Sequence, residues 1–195
     1  MTIEMQDVYA EAARLLRDGG VAIIPTDTVY GIAAHPGCAD AVERIRMIKG
    51  RPTGKPIALL AADMEAVRAF GATLPPAAER LARAFWPGAL TLVLPCGETE
   101  EGFRVPDHDA VRELLAACGG TLRVTSANLS GAMPAVSAVE ALRDVGLEAD
   151  TVIDGGVCPG GVASSVVRVG ADGVVTILRD GAILAANVLR VAAGN

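Results

Sequence analysis

The segment Val21-Ala22-Ile23-Ile24-Pro25-Thr26-Asp27-Thr28-Val29-Tyr30-Gly31 decides the fold, because it joins a wholly apolar run to a polar loop. Four consecutive apolar residues, 21–24, predict a strand that is buried on both faces of its sheet. Such a strand needs helices on both sides, which indicates an α/β fold. The loop 25–31 follows the end of this strand, where α/β proteins usually bind their ligands. Taken alone, a turn whose side chains satisfy their own backbone is the simpler interpretation of this loop.

Helical and strand patterns alternate along the rest of the chain. Before the first strand, an amphipathic helix over 5–18 ends at Gly19-Gly20. Further helices are predicted over 40–48, 63–70, 76–86, 107–117 (with Asp107 as its N-cap) and about 137–145, and further strands over 57–60, 90–94, 122–125, 151–153, 165–169 and 174–178. The last two strands are too close in sequence for a crossover helix and are expected to pair antiparallel. We therefore predict a single α/β domain over 1–195 with a mixed parallel and antiparallel sheet.

Composition and charge exclude several classes of protein. The 195 residues are 51% hydrophobic and carry a net charge of -6, which excludes a disordered chain and a globally basic nucleic-acid coat. One Trp, two Tyr and three Phe are too few for a surface that stacks many bases. Four separated cysteines without a CxxC pair argue against zinc and disulfides, and no signal peptide or membrane-spanning run is visible. We expect a cytoplasmic protein without a protein-bound metal.

Both lysines of the chain, Lys49 and Lys55, lie in one seven-residue stretch and flank Arg51. One interpretation is a favourable interaction with the dipole at the C-terminus of helix 40–48. The other is a phosphate clamp, in which Arg binds two oxygens and Lys supplies a point charge. The segment is not a Walker loop, since Pro56 rather than Ser or Thr follows Lys55.

Three further polar side chains follow strands or interrupt apolar runs. Ser126 and Asn128 come directly after strand 122–125 and would project the same way from an extended chain. They suit a phosphate, a ribose or a base edge, or alternatively they cap the next helix. Arg104 lies in a short apolar run, where it either snorkels at a strand end or binds a ligand carboxylate.

The remaining candidate site residues include no side chain that is expected to act as a nucleophile. The glycines of 155–161 either form a turn or let a ligand approach backbone amides. His35 and His108 are both expected at the surface, and no catalytic triad can be drawn. A site rich in Thr, Ser, Asn, Lys and Arg favours nucleotide binding and phosphoryl-type transfer, in which positioning and charge neutralisation do most of the catalysis.

Eight short motifs follow one another along nearly the whole chain. They are Gly-Gly at 19–20, Pro-Thr-Asp-Thr-Val-Tyr-Gly at 25–31, Lys-Gly-Arg-Pro at 49–52, Trp-Pro-Gly-Ala-Leu-Thr at 86–91, Arg-Val-Pro-Asp-His at 104–108, Ser-Ala-Asn-Leu-Ser-Gly at 126–131, Ser-Ser-Val-Val at 164–167 and Leu-Arg-Asp-Gly at 178–181. In this order they resemble the YrdC-type threonylcarbamoyl-AMP synthase family. The chain departs from the family pattern at Ser165, where Thr is usual, and near Pro134.

The resemblance implies a YrdC-like domain, in which a twisted mixed sheet flanked by helices carries an open concave cleft. It also implies a nucleotidyltransferase that joins L-threonine, bicarbonate and ATP into threonylcarbamoyl-AMP and pyrophosphate. Partner proteins would then use this product to modify tRNA. Mg²⁺ would accompany ATP, without a dedicated metal site on the protein.

The family's positions also assign site residues in this sequence. Its nucleotide-binding signature and one further nucleotide contact correspond to Lys49, Arg51, Ser126, Asn128 and Arg179. Among these, Lys49 and Arg51 are the expected catalytic residues, because they would neutralise developing charge. The positions that hold threonine correspond to Thr26, Arg104 and Ser164.

Three rival interpretations stay open at this stage. The family's concave face has been associated with RNA, so a double-stranded RNA or tRNA-binding module is the first, and direct RNA contact is an expectation with it. Steeply salt-dependent RNA binding without ATP consumption would favour it. The second is a carbamoyl-adenylate enzyme similar to the matching domain of hydrogenase-maturation carbamoyltransferases, which also carry Cys-rich zinc modules. The third is an inactive paralogue of the same fold.

Overall fold

Strands and helices alternate along the chain in a computed structural model, which describes residues 3–52, 54–145 and 148–194. The strands in these ranges are β1 (Val21–Ile24), β2 (Gly31–Ala34), β3 (Leu59–Ala61), β4 (Leu90–Cys96), β5 (Thr99–Arg104), β6 (Thr121–Ser126), β7 (Thr151–Val152), β8 (Ser165–Val169) and β9 (Val175–Arg179). The helices are α1 (Ile3–Arg17), α2 (Ala39–Lys49), α3 (Met64–Ala69), α4 (Pro76–Phe85), α5 (Asp109–Ala117), α6 (Ala138–Val145) and α7 (Ala185–Ala193). Within the described ranges, no helix has the length and apolar character needed to cross a membrane.

The strands form one open sheet in the order β7-β1-β2-β6-β3-β5-β4-β8-β9. Three neighbouring pairs are parallel, namely β1 with β7, β3 with β5 and β4 with β8. The other neighbours are antiparallel, including the last two strands, β8 and β9. The prediction of an α/β fold with a mixed sheet is therefore confirmed.

Helices cover both faces of one half of the sheet. On one face, Ile23 and Ile32 are buried in a cluster with α2 and α6. On the other face, Ile24 and Leu122 are buried in a cluster with α1 and α5. All four residues of β1 are buried, as its unbroken apolar run predicts. Burying an aliphatic side chain of this size contributes about 1.5–3 kcal/mol.

Helices cover only one face of the other half of the sheet. Leu92 on β4 and Phe103 on β5 are fully buried in a cluster with α3, α4 and α7. Because successive residues of a strand face opposite sides of the sheet, their neighbours Thr91 and Gly102 lie on the opposite face. Both of these residues line a cavity. The uncovered half of the sheet therefore supplies the floor of the candidate site.

The sequence patterns do not predict β2, β5 or α7. β2 consists of small and apolar residues directly after a polar loop, with no turn signal to separate the two. β5 contains two glutamates and a glycine, because the face that carries Glu100 and Gly102 lies on the cavity side. A strand whose outer face lines a polar site lacks the apolar alternation that identifies strands.

The start of α5 corrects the expected N-cap. The N-cap is His108 rather than Asp107, and its Nδ1 accepts a hydrogen bond from the backbone N–H of Val111 at 3.4 Å. An N-cap directly precedes the first helical residue, and Asp107 lies one position too early. His108 and His35 are both partly exposed, which agrees with their expected place near the surface. The Nδ1 of His35 accepts from the backbone N–H of Gly37 at 3.1 Å.

Candidate active site

A cavity of about 600 Å³ lies on the uncovered half of the sheet. It is lined by every residue that the sequence analysis assigns to a site: Thr26, Lys49, Arg51, Arg104, Ser126, Asn128, Ser164 and Arg179. These residues come from six separate segments of the chain, which the strand order brings together. The cavity also includes Lys55, the third cation of the possible phosphate clamp, and Thr28 and Thr91, to which no role was assigned.

Arg104, at the end of β5, is buried beside a carboxylate. Its Nη2 donates to Oδ1 of Asp27 at 2.5 Å, its Nη1 to Oγ1 of Thr28 at 2.8 Å, and its Nε to the carbonyl oxygen of Gly88 at 2.9 Å. Burial lowers the pKa of Arg104, and the charge of Asp27 acts in the opposite direction. Of the five N–H bonds of a guanidinium group, these contacts leave two for a ligand. Arg104 is thus paired and buried, and it does not snorkel into solvent.

Thr26 lies in a turn that it stabilises itself. Its Oγ1 accepts from the backbone N–H of Thr28 at 3.1 Å and of Val29 at 3.2 Å, and it donates to the carbonyl oxygen of Val29 at 2.7 Å. The turn interpretation of the loop is therefore correct for Thr26. The same hydroxyl lies in the cavity wall, where the turn fixes its position.

Ser164 and Arg179 meet where β8 begins and β9 ends, beside Thr91 of β4. The Oγ of Ser164 and the Oγ1 of Thr91 are 2.8 Å apart. Nη2 of Arg179 donates to the carbonyl oxygen of Ser164 at 2.7 Å and lies 3.3 Å from its Oγ. A cation and two hydroxyls are thereby held next to each other.

Lys49 is the last residue of α2, and its amine is buried against the loop after β6. Its Nζ donates to the carbonyl oxygens of Ser126 and Asn128, while the backbone N–H of Ser130 donates to the carbonyl oxygen of Lys49 at 3.0 Å. Burial, with the positive charges of Arg51 and Lys55, lowers the pKa of Lys49 to about 8. The amine bonds to this loop rather than to the last carbonyls of α2, so it does not serve as a simple partner of the helix dipole.

Asn128 is almost fully buried and leaves one acceptor unused. Its Nδ2 donates to the carbonyl oxygens of Leu129 at 2.8 Å and Ala132 at 2.9 Å. Within the described residues, its Oδ1 is buried without a hydrogen-bond partner. A buried acceptor without a partner is unusual in a folded protein, and a ligand N–H or O–H would satisfy it.

The next helix does not need Ser126 or Asn128 as a cap. Oγ of Ser137 accepts from the backbone N–H of Glu140 at 3.3 Å, and the carboxylate of Glu140 accepts from the backbone N–H of Val136 at 2.7 Å. Ser137 therefore caps the start of α6, and Glu140 satisfies the N–H of the residue before the cap. The capping interpretation of the loop after β6 is therefore wrong.

Positive charge accumulates along the cavity. Lys49, Arg51, Lys55 and Arg179 form no ion pair with a carboxylate in the described parts of the chain. Arg51 instead donates through Nη2 to the carbonyl oxygen of Pro56 at 2.6 Å. Cations without counter-ions in a concave site attract anionic ligands.

The glycine-rich loop 155–161 packs on the loop after β1, and none of its residues, all of which are described, lines the cavity. The hydroxyl of Tyr30 donates to the carbonyl oxygen of Gly156 at 2.7 Å and accepts from the backbone N–H of Gly155 at 3.1 Å. The backbone N–H of Gly160 donates to the carbonyl oxygen of Asp27 at 3.1 Å, and a Cβ on Gly160 would lie 2.6 Å from that oxygen. Glycine is required here because two backbone segments approach each other closely. The sequence alone does not decide between this packing role and a loop that binds a ligand.

Sequence comparisons relate this chain to known proteins. The family model Sua5_yciO_yrdC, described as "Telomere recombination", matches residues 14–181. The threonylcarbamoyl-AMP synthase of Bacillus subtilis is 36% identical in an alignment of 185 positions that covers 89% of this chain and 53% of that protein. The threonylcarbamoyl-AMP synthase of Halorhodospira halophila is 37% identical in an alignment of 154 positions that covers 74% of this chain and 81% of that protein.

Solved structures share the fold. P. abyssi Sua5 complexed with L-threonine superposes with a TM-score of 0.89 at 32% identity, covering 95% of this chain and 57% of that one. E. coli YciO superposes with a TM-score of 0.81 at 26% identity, covering 90% of each chain. The chain spans about half the length of the first two curated relatives it matches, 53% and 49%.

Proposed function

This chain belongs to the Sua5/YciO/YrdC family, and we propose that it is an L-threonylcarbamoyladenylate synthase, a nucleotidyltransferase acting on L-threonine, bicarbonate and ATP. The observation that carries this proposal is the composition of the cavity on the uncovered half of the sheet. It combines cations that lack counter-ions with a buried arginine and several hydroxyls. Relatives that are 36% and 37% identical bear the name threonylcarbamoyl-AMP synthase, which supports the same assignment.

Threonine binding is assigned to the end of the cavity around Arg104. The two unused N–H bonds of its guanidinium group suit the carboxylate of a free amino acid. The hydroxyl of Ser164 is nearly buried beside Thr91 and keeps hydrogen-bonding capacity, so it suits the hydroxyl or amine of threonine. The hydroxyl of Thr26 is used by its own turn, so Thr26 is proposed to shape the wall of the threonine site. A relative, P. abyssi Sua5, has been solved in complex with L-threonine.

ATP binding is assigned to Lys49, Arg51, Ser126, Asn128 and Arg179. Lys49 and Arg51 would act as the catalytic residues, because they neutralise the charge that develops on the phosphates. The free acceptor of Asn128 suits an N–H or O–H of the nucleoside. The lysine amine also fixes the loop that carries Ser126, which links phosphate binding to the shape of the nucleotide site.

The reaction needs no nucleophile from the protein. The neutral amine of threonine attacks carbon dioxide derived from bicarbonate, the nitrogen releases a proton to solvent, and a carbamate forms. A carbamate oxygen then attacks the α-phosphorus, the bond from that phosphorus to the bridging oxygen breaks, and pyrophosphate leaves with the electron pair. Among the described residues that line the cavity, there is no His or Cys, and the only carboxylate, Glu100, accepts from Nε of Arg168 at 2.8 Å.

Mg²⁺ is proposed to enter with the nucleotide rather than to reside on the protein. No group of three His, Cys, Asp or Glu side chains in the described ranges could hold a metal ion. The residues present therefore fit a metal carried by phosphate oxygens, which is the usual mode of binding for Mg²⁺. When bound, it supplies charge neutralisation, and the protein's own cations orient the phosphates.

Pyrophosphate release from ATP, with threonine and bicarbonate each omitted in turn, tests the proposed function. We expect release only when both co-substrates are present, because the carbamate that attacks ATP contains both. Equal ATP hydrolysis under every omission would contradict the proposal and favour an inactive paralogue or an RNA-binding module. Carbamoyl phosphate replacing both co-substrates would indicate a carbamoyl-adenylate enzyme. We further expect the product to pass to partner proteins that modify tRNA.

ATP affinity is expected to fall as the pH rises through about 8. The pKa of Lys49 is lowered to about 8 by burial and by Arg51 and Lys55, so the amine loses its charge above that pH. The folded-state pKa lies below the unfolded value of 10.5. Between these values the unfolded chain binds more protons, and this group's contribution to the free energy of unfolding therefore rises with pH. Binding and stability should thus change in opposite directions.

Calorimetric titration of ATP at several pH values on either side of 8 measures this effect. The variant Lys49→Arg serves as the control, because its guanidinium group stays charged throughout and should show a flatter profile. An ATP affinity of the unsubstituted protein that stays constant across this range would contradict the prediction.

A further inference from the structure

Lys55 is the one cation among the described residues of the cavity wall that the proposed function has not used. Its side chain is exposed, and within the described ranges it forms no hydrogen bond and no ion pair. Every other cation that lines the cavity donates to protein atoms: Lys49, Arg51, Arg104 and Arg179. Lys55 is therefore the cation whose donors are all available to a ligand.

The backbone of Lys55 is fixed, although its side chain is not. Its carbonyl oxygen accepts from Nη1 of Arg46 at 2.7 Å and from Nε of Arg51 at 3.3 Å. Its N–H donates to the carbonyl oxygen of Pro52 at 3.1 Å, which closes a turn. A flexible stem on a fixed backbone position lets the ammonium group follow a ligand that moves during the reaction.

The cations that line the cavity are called the cation row here: Arg104, Arg179, Arg51, Lys49 and Lys55. Arg179 lowers the pKa of both Arg104 and Arg51, and Arg51 and Lys55 lower the pKa of Lys49. Since such effects weaken with distance, each coupled pair consists of near neighbours. Strand register places Lys55 away from Arg104: β3 and β5 are parallel with Leu60 opposite Arg104, and Lys55 precedes Leu60 by five residues. Lys55 therefore lies at the end of the cation row away from Arg104.

We propose that Lys55 binds the β- and γ-phosphates of ATP and holds pyrophosphate as it leaves. This inference rests on the proposed function, in which threonine lies at Arg104 and the α-phosphorus lies next to it. In-line displacement requires the leaving group to point away from the attacking carbamate, which directs it along the row towards Lys55. There the exposed ammonium group neutralises the charge that pyrophosphate gains when the bond to the α-phosphorus breaks.

Binding of inorganic pyrophosphate and of AMP, measured by calorimetry, tests the inference without relying on turnover. We expect Lys55→Ala to weaken pyrophosphate binding about tenfold or more, as for the loss of one charge-assisted hydrogen bond, and to leave AMP binding unchanged. Lys55→Arg should bind pyrophosphate nearly as tightly as the unsubstituted protein. Arg83→Ala is the matched control, because it removes one exposed positive charge from α4, on the covered face of the sheet.

The possible outcomes separate the inference from the proposed function. Unchanged pyrophosphate binding in Lys55→Ala, or an equal weakening of AMP and pyrophosphate binding, would overturn the role of Lys55. Either result would leave the proposed function standing if the unsubstituted protein releases pyrophosphate only with both co-substrates. An unsubstituted protein that binds neither pyrophosphate nor ATP would overturn the proposed function and the inference together.

Discussion

Replacing Lys49 with alanine is expected to reduce ATP-dependent pyrophosphate release by at least about a hundredfold. Two contributions of the amine are lost together. It supplies positive charge at the phosphates, and it donates to the carbonyl oxygens of Ser126 and Asn128, which holds the loop after β6 in place. A steady-state assay of pyrophosphate release measures the first loss together with the second. Calorimetric titration of ATP shows how much of the combined loss is binding.

Lys49→Met separates the amine from the space it fills. Methionine keeps an unbranched apolar stem of similar volume, so it avoids the cavity that alanine leaves. In both variants two buried carbonyl oxygens lose a donor, at about 1–3 kcal/mol each, which is partly offset by removing a desolvated charge. We expect equal losses of activity and a smaller loss of thermal stability for the methionine variant. Lys49→Met with most of the activity intact would contradict a role for the amine at the phosphates.

The sequence predicts a strand or helix correctly where the pattern of apolar residues fits only one type of element. The residues of β1 are all apolar and all buried, and their strand is predicted with its bounds. β5 is the opposite case, because Glu100 and Gly102 face the cavity and interrupt the apolar pattern. The strands that build a polar site are thus the hardest to recognise, since the ligand-facing side has no reason to be apolar.

The sequence also predicts which residues share the site better than it predicts their partners. Arg104 and Asp27 are 77 positions apart and form an ion pair, and Asp27 was not assigned any role. Lys49 and Ser126 are likewise 77 positions apart, and their contact depends on where α2 ends relative to β6. Such pairs follow from strand order and register, which motif spacing does not contain. The roles assigned to the site residues stay predictions until variants are measured.

Arg104→Ala is expected to raise the KM for threonine about tenfold to a hundredfold, as for the loss of a hydrogen-bonded carboxylate partner. ATP binding should be retained, because Arg104 lies at the far end of the cation row from Lys55. The measurement is the dependence of pyrophosphate release on threonine concentration, with KM and kcat separated. Asp27→Asn is the matched variant, because it keeps an oxygen acceptor for Arg104 and should not raise the KM for threonine.

Arg104 is expected to contribute both to stability and to threonine binding, and the variant Arg104→Ala changes the two together. Removing Arg104 leaves the carboxylate of Asp27, whose side chain is 12% exposed, without its partner. Breaking a buried ion pair in this way costs about 3–5 kcal/mol, whereas replacing both partners is often neutral. The double variant Arg104→Met with Asp27→Ala should therefore recover stability in thermal unfolding but not threonine affinity. A double variant that regains both would assign the pair a structural role alone, because the guanidinium group would then be dispensable for recognising the amino acid.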